Sequence, residues 1–104
     1  MTAAIYTRYS TDRQRETSLA DQAHVCQARA DALGLSIFST YGDDGISGST
    51  PVARRPEGAR LVADALAGRF TVLLVEGLDR LSRDMVEQER MVRRLEHRGI
   101  RIIG

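Results

Sequence analysis

Residues 3–9 set Ile5, Tyr6, Thr7 and Tyr9 beside alanines and close on the polar Arg8 and Ser10, a β-prone run that predicts a first strand. Residues 11–17, Thr-Asp-Arg-Gln-Arg-Glu-Thr, offer no apolar anchor and predict a solvated loop or lid. Ser18 and Asp21 form a capping box, and Leu19, Ala23, Cys26, Ala30 and Leu33 follow at steps of four and three. That spacing predicts a helix with one buried stripe, in which Cys26 is buried filler. Gly34 closes the helix, and residues 35–41 return to a β-type pattern.

Residues 42–56 carry three Gly, two Pro and three hydroxyls over fifteen positions, long enough in a small domain to predict a functional loop. Pro56 suits the first turn of a second helix with Leu61, Val62, Ala65 and Leu66 inward and Gly68 past its end. Residues 70–75 are apolar without alternation, the pattern of a strand covered on both faces. After a polar passage over 76–83, Asp84 and Glu87 open a third helix with Met85, Val92 and Leu95 inward, Gly99 ends it, and residues 100–103 begin a fourth strand. The order β-α-β-α-β-α-β predicts an α/β fold with right-handed crossovers and helices on both faces of a mostly parallel sheet.

A length of 104 residues allows one domain, and 42% apolar with 28% charged residues are globular proportions. The net charge of +1 announces no polyanion partner through an overall field, so any such site must be local. All fifteen basic residues are arginine, which fits either coding bias or the use of guanidinium as a bidentate phosphate ligand. One cysteine excludes an internal disulfide and a cysteine zinc cage and fits a reducing cytoplasm. No long apolar stretch predicts export or a membrane span. The sequence stops at or just after the fourth strand, so a fragment of a longer protein is expected.

In an open parallel sheet, ligands sit at the carboxyl ends of the strands. Here those ends carry Arg8-Tyr9-Ser10, Asp43-Asp44, and Asp79-Arg80-Leu81-Ser82-Arg83. Arg8 and Ser10 are two apart and share a side of an extended strand, whereas Arg80 and Arg83 are one helical turn apart. A hydroxyl ringed by guanidinium groups suits phosphate chemistry. His24 and His97 are expected at the surface, so no histidine base is placed for a serine hydrolase, and a P-loop needs a lysine that is absent. Gly42, Gly45 and Gly48 are expected to supply turns rather than a dinucleotide fingerprint, and Asp43-Asp44 a turn or cap rather than a metal site. Neither metal nor cofactor is expected.

Five segments taken in order carry a resemblance: Tyr6-Thr7-Arg8-Tyr9-Ser10, Ser18-Leu19-Ala20-Asp21-Gln22, Asp44-Gly45-Ile46-Ser47-Gly48, Arg55-Pro56, and Leu78-Asp79-Arg80-Leu81-Ser82-Arg83-Asp84. Together they resemble the serine site-specific recombinases of the resolvase and invertase superfamily, and are most similar to the large serine integrases. The resemblance implies a three-layer resolvase-like catalytic domain spanning 1–104, with an oligomerisation helix and a DNA-reading region outside it. It makes Ser10 the nucleophile that forms a 5′-phosphoserine link, with Arg8, Arg55, Arg80 and Arg83 around the scissile phosphate and Gln22 and Asp79 in support. Arg55 is preferred over Arg54 because Pro56 follows it; the general base stays open among an arginine, Asp79 and water. The implied partners are double-stranded DNA and further copies of the protein, as a dimer that joins into a tetramer. The isolated 104 residues are expected to be soluble, folded and unable to cleave DNA.

Two rivals remain. A flavodoxin-like module for a phosphorylated ligand would need a glycine loop presenting backbone amides, where this chain has an arginine-walled serine. An assembly domain without catalysis is disfavoured by the intact Ser10 and its four candidate arginines.

Overall fold

The computed structural model describes residues 1–10 and 18–104; the loop or lid expected at 11–17 lies outside them. Strand β1 (Thr2–Tyr9) leads to helix α1 (Leu19–Leu33), then β2 (Ser36–Asp44), α2 (Pro56–Leu66), β3 (Val72–Leu74), α3 (Met85–His97) and β4 (Arg101–Ile103). Single 3-10 turns occupy Val52–Arg54 and Leu78–Arg80. The strands form one parallel sheet in the order β2-β1-β3-β4. The expected α/β fold is the one observed.

Strand alternation divides the core in two. Ala3, Ile5, Val72 and Leu74 face Cys26 and Ala30 of α1. Ala4, Tyr6, Tyr41 and Leu73 face Leu61, Val62 and Ala65 of α2 and Leu95 of α3. Right-handed crossovers require this division, because the chain leaves β1 in one direction along the sheet and afterwards travels in the other. The reversal opens a crevice between the carboxyl ends of β1 and β3, the switch point at which parallel sheets bind ligands.

Local chemistry sets the helix ends. Ser18 Oγ accepts from the Asp21 amide at 3.1 Å, and Asp84 Oδ1 accepts from Val86 and Glu87 at 2.8 and 3.3 Å. Gly34 ends α1 at φ 69°, a left-handed conformation that a Cβ would strain. Helix α2 begins at Pro56 but has no side-chain cap from its own N-cap residue, Arg55. Asp43 at the end of β2 supplies that cap: its carboxylate accepts from the Glu57 and Gly58 amides, each at 2.9 Å.

Several apolar positions expected inward are exposed. Leu33 lies in the last turn of α1, past Ala30, where the helix stops reaching the core. Met85 is 72% exposed because a helical side chain leans toward the N-terminus, and at the first residue no turn lies beneath it. Leu66, in the last turn of α2, is 38% exposed. The buried line of α1 runs instead through Gln22, Cys26 and Ala30. The stretch expected to be loop from residue 42 is shorter, since Gly42, Asp43 and Asp44 pair with Thr7, Arg8 and Tyr9 and extend β2. Their turn-like chemistry yields to the ladder, a case of tertiary pairing overriding local preference.

Burial on the inner face of α1, reinforced by the negative charge of Glu76, pushes the Cys26 thiol up from 9.0 to about 11. The unfolded chain therefore releases this proton first as pH rises, and stability should fall between about pH 9.0 and about pH 11. Urea unfolding across that window should show the decline, and Cys26→Ala should remove the part that belongs to the thiol.

Candidate active site

Arg8 is the seventh residue of β1 and shares the α2 and α3 side with Ala4 and Tyr6. Strand β3 pairs with β1 only at Ala3, Ala4 and Ile5, so the Arg8 peptide extends beyond that partner. Gln22 takes its place. The Gln22 side-chain amide accepts from the Arg8 amide at 3.0 Å and donates to the Arg8 carbonyl at 2.9 Å, fixing the backbone two residues before Ser10. Ser10 follows at the carboxyl end of β1 and is 2% exposed. The Gly45 and Ile46 amides donate to the Tyr9 carbonyl at 2.7 and 3.1 Å, which ties the loop after β2 to the same strand end.

The Arg8 guanidinium is wholly buried and is held by backbone carbonyls from two loops. Its Nε donates to Arg80 O at 3.2 Å, Nη1 to Ile46 O at 3.0 Å and Nη2 to Asp79 O at 3.3 Å. Arg80 returns a bond from Nη1 to Arg8 O at 3.4 Å and pairs through Nη2 with Glu76 Oε1 at 3.1 Å. Arg55 is buried to the same degree as Arg8. It donates from Nη1 to Arg80 O at 2.8 Å, so the Arg80 carbonyl joins both guanidinium groups.

Tyr6 continues the chain of bonds. Arg55 Nη1 donates to Tyr6 Oη at 3.0 Å, and that hydroxyl donates to Asp43 Oδ2 at 2.8 Å. Burial, its largest influence, holds the Tyr6 phenol protonated well above its ordinary range, so it keeps a proton for Asp43 while accepting from Arg55. The turn-or-cap reading of Asp43 is thus resolved as a cap on α2, a helix that begins more than ten residues later.

Gly48 lets the loop lie against the arginines. A Cβ there would meet Arg83 Cγ at 2.7 Å and Arg8 Nη2 at 3.0 Å. Its carbonyl accepts from the Arg83 amide at 3.2 Å and from Ser82 Oγ at 3.4 Å. Arg83 is half-buried against this loop.

The fold therefore gathers Arg8, Gln22, Arg55, Arg80 and Arg83, with Ser10 closing the strand that carries Arg8. Asp79 enters through its carbonyl; its side chain is exposed, and Arg80 pairs with Glu76 instead. Arg54 is exposed beside the buried Arg55. Tyr6, Asp43, Glu76, Gly48 and Ser82 were not singled out as site residues by sequence reasoning. The parity that joined Arg8 to Ser10 also covers Tyr6, whereas the Asp43 cap depends on a pairing between distant segments.

A family model described as Resolvase, N terminal domain matches residues 3–103. The chain belongs to the serine recombinases of the resolvase family. Among solved structures, the N-terminal catalytic domain of TP901-1 integrase is similar over 100% of this chain and 76% of its own, at 33% identity and a TM-score of 0.89. The C-terminal catalytic domain of ISC1926 TnpA, an IS607-like serine recombinase, matches 99% of this chain and 68% of its own at 25% identity and a TM-score of 0.86. A resolvase family site-specific recombinase from Streptococcus pneumoniae matches 99% and 70% at 26% identity and a TM-score of 0.80. A search of curated protein sequences returned no match. The protein is thus a site-specific recombinase catalytic domain, an enzyme of DNA cleavage and rejoining. Among the described residues no helix is long and apolar enough to cross a membrane.

In this recombinase Gly48→Ala is expected to destabilise the fold and to displace Arg83 from the loop, because the new Cβ would meet Arg83 Cγ and the buried, carbonyl-held Arg8 Nη2. DNA cleavage should fall nearly as far as when Arg83 itself is removed. A crystal structure of the variant together with a cleavage assay checks both.

Proposed function

We propose that Ser10 Oγ attacks a DNA phosphodiester, forming a bond to phosphorus as the bond to the 3′ oxygen breaks and the 3′-hydroxyl departs. The resulting 5′-phosphoserine conserves the ester, and a 3′-hydroxyl from an exchanged strand reverses the step without ATP. The observation that carries this reading is that one strand end brings Ser10 and Arg8 to the switch point, where Arg80 and Arg83 converge from the turn after β3. Negative charge building on the non-bridging oxygens meets fixed cations held in a largely dry site, where they need no reorganisation. Gln22 supports the nucleophile by fixing the Arg8 peptide, and Asp79 supports Arg8 through its carbonyl.

The same reading places the domain on double-stranded DNA in the cytoplasm, within a longer recombinase that works as a dimer joining into a tetramer. A net charge of +1 supplies little nonspecific attraction, so the affinity belongs to a DNA-reading region outside these residues.

Ser10→Ala in the full recombinase should abolish the covalent protein–DNA adduct and leave the circular dichroism spectrum and melting temperature in place. Recombination that persists in this variant would exclude the assignment. Arg80→Ala and Arg83→Ala should each slow strand cleavage by at least ~10²-fold, the order seen when one fixed donor to a developing oxyanion is lost. Arg54→Ala, which removes an exposed side chain, should do much less. Single-turnover cleavage of DNA carrying the recombination site measures all three.

A further inference from the structure

The donors of Arg55 are fully committed within the protein, which points to a role other than phosphate binding. A guanidinium carries five N–H groups. Those of Arg55 meet five protein acceptors: Nε binds Thr50 O at 2.9 Å, Nη1 binds Tyr6 Oη and Arg80 O, and Nη2 binds Gly48 O and Leu81 O. The residue is 0% exposed. For Arg55 to touch a phosphate, one of these partners must be given up and left unsatisfied inside a buried site.

The acceptors fall on three segments, and each segment carries site residues. Gly48 and Thr50 belong to the loop after β2, which packs under Arg83 and Arg8. Arg80 and Leu81 belong to the turn after β3, whose Arg80 carbonyl also orients Arg8 Nε. Tyr6 lies on β1, two residues before Arg8. One planar fork thus fastens the two loops to each other and to the strand that ends in Ser10. Lysine has three donors on a single point and cannot span both loops. The backbone of Arg55 is anchored as well, because it ends the 3-10 turn and precedes α2, whose first amides are held by Asp43.

We infer that Arg55 is a positioning residue that clamps the loop after β2 to the turn carrying the phosphate-binding Arg80 and Arg83 and does not itself contact DNA. The inference rests on the reading of Ser10 as nucleophile and departs from the phosphate contact that the family resemblance assigns to Arg55.

Cleavage in the full recombinase is compared on DNA with a normal scissile phosphate and on DNA with a neutral methylphosphonate there. An arginine that offsets the phosphate charge becomes less necessary on the neutral substrate, whereas a clamp does not. Arg80→Ala should recover roughly tenfold or more on methylphosphonate. Arg55→Ala and Arg55→Lys should lose about 10²-fold on both substrates, the scale of a small misplacement of reacting groups, with DNA affinity unchanged. Recovery of Arg55→Ala on methylphosphonate, or rescue by lysine on the normal substrate, would overturn the inference. If the variants do not fold, hydrogen exchange of the wild-type arginine Nε–H groups still decides: Arg55 should exchange far more slowly than exposed Arg54, and equal rates sink the clamp. Absence of any Ser10 adduct in the wild type would defeat the nucleophile reading alone, leaving the exchange measurement to stand on its own.

Discussion

Two guanidinium groups, those of Arg8 and Arg55, are removed entirely from water, and the rest of the site is arranged around that constraint. Burying an unpaired cation costs several kcal/mol or more, roughly, so each N–H must find an acceptor of good geometry. No single carboxylate fills that need. The loop after β2 and the turn after β3 turn their carbonyls inward, and the Arg80 carbonyl serves both cations. Hydrogen bonds to a charged group contribute about 1.5–3 kcal/mol each, so a full set offsets the desolvation and fixes the loop shapes together. The loops take their conformation from the cations they surround.

A second electrostatic problem is solved at the start of α2. Arg55 sits at the N-terminal end of the helix, where the macrodipole disfavours a cation by about 0.3–1 kcal/mol. Asp43 answers by placing a carboxylate on the first amides, and Tyr6 links that carboxylate to the guanidinium. Strand pairing makes this possible, because the ladder that sets Arg8 opposite Asp43 also brings the end of β2 beside the crevice.

Where information was local, the sequence was readable. The spacing of Leu61, Val62 and Ala65 marked the buried face of α2, Ser18 and Asp84 marked helix starts, and the unbroken apolar run through Val72 and Leu74 marked a strand covered on both sides. Ser10 directly follows the strand that carries Arg8, and Arg55, which the proline after it set apart, is buried where Arg54 is exposed. Information that arises from pairing between distant segments was not readable. The resemblance gave Gln22 a supporting place, but the bonds it makes were not visible, because its partner, the Arg8 peptide left open where β3 ends, exists only in the assembled sheet. Asp43 was expected to serve a turn or cap, and which helix it caps likewise depends on the assembled sheet. Met85 shows the reverse failure, an apolar residue whose helical phase was right but whose end position left it nothing to cover.

The bonds that unite the crevice join residues far apart in the chain, with Arg8 and the Arg80 carbonyl separated by 72 positions. Synthesis adds roughly 5–20 residues per second, so Ser10 leaves the ribosome several seconds before the turn that organises its surroundings. Parallel sheets also assemble slowly, since distant strands must meet before either is rewarded. For all of that interval the nucleophile proposed here is an ordinary serine on an unfinished strand. Reactivity toward DNA is thereby delayed until the final third of the domain has closed over it, a timing imposed by chain order alone.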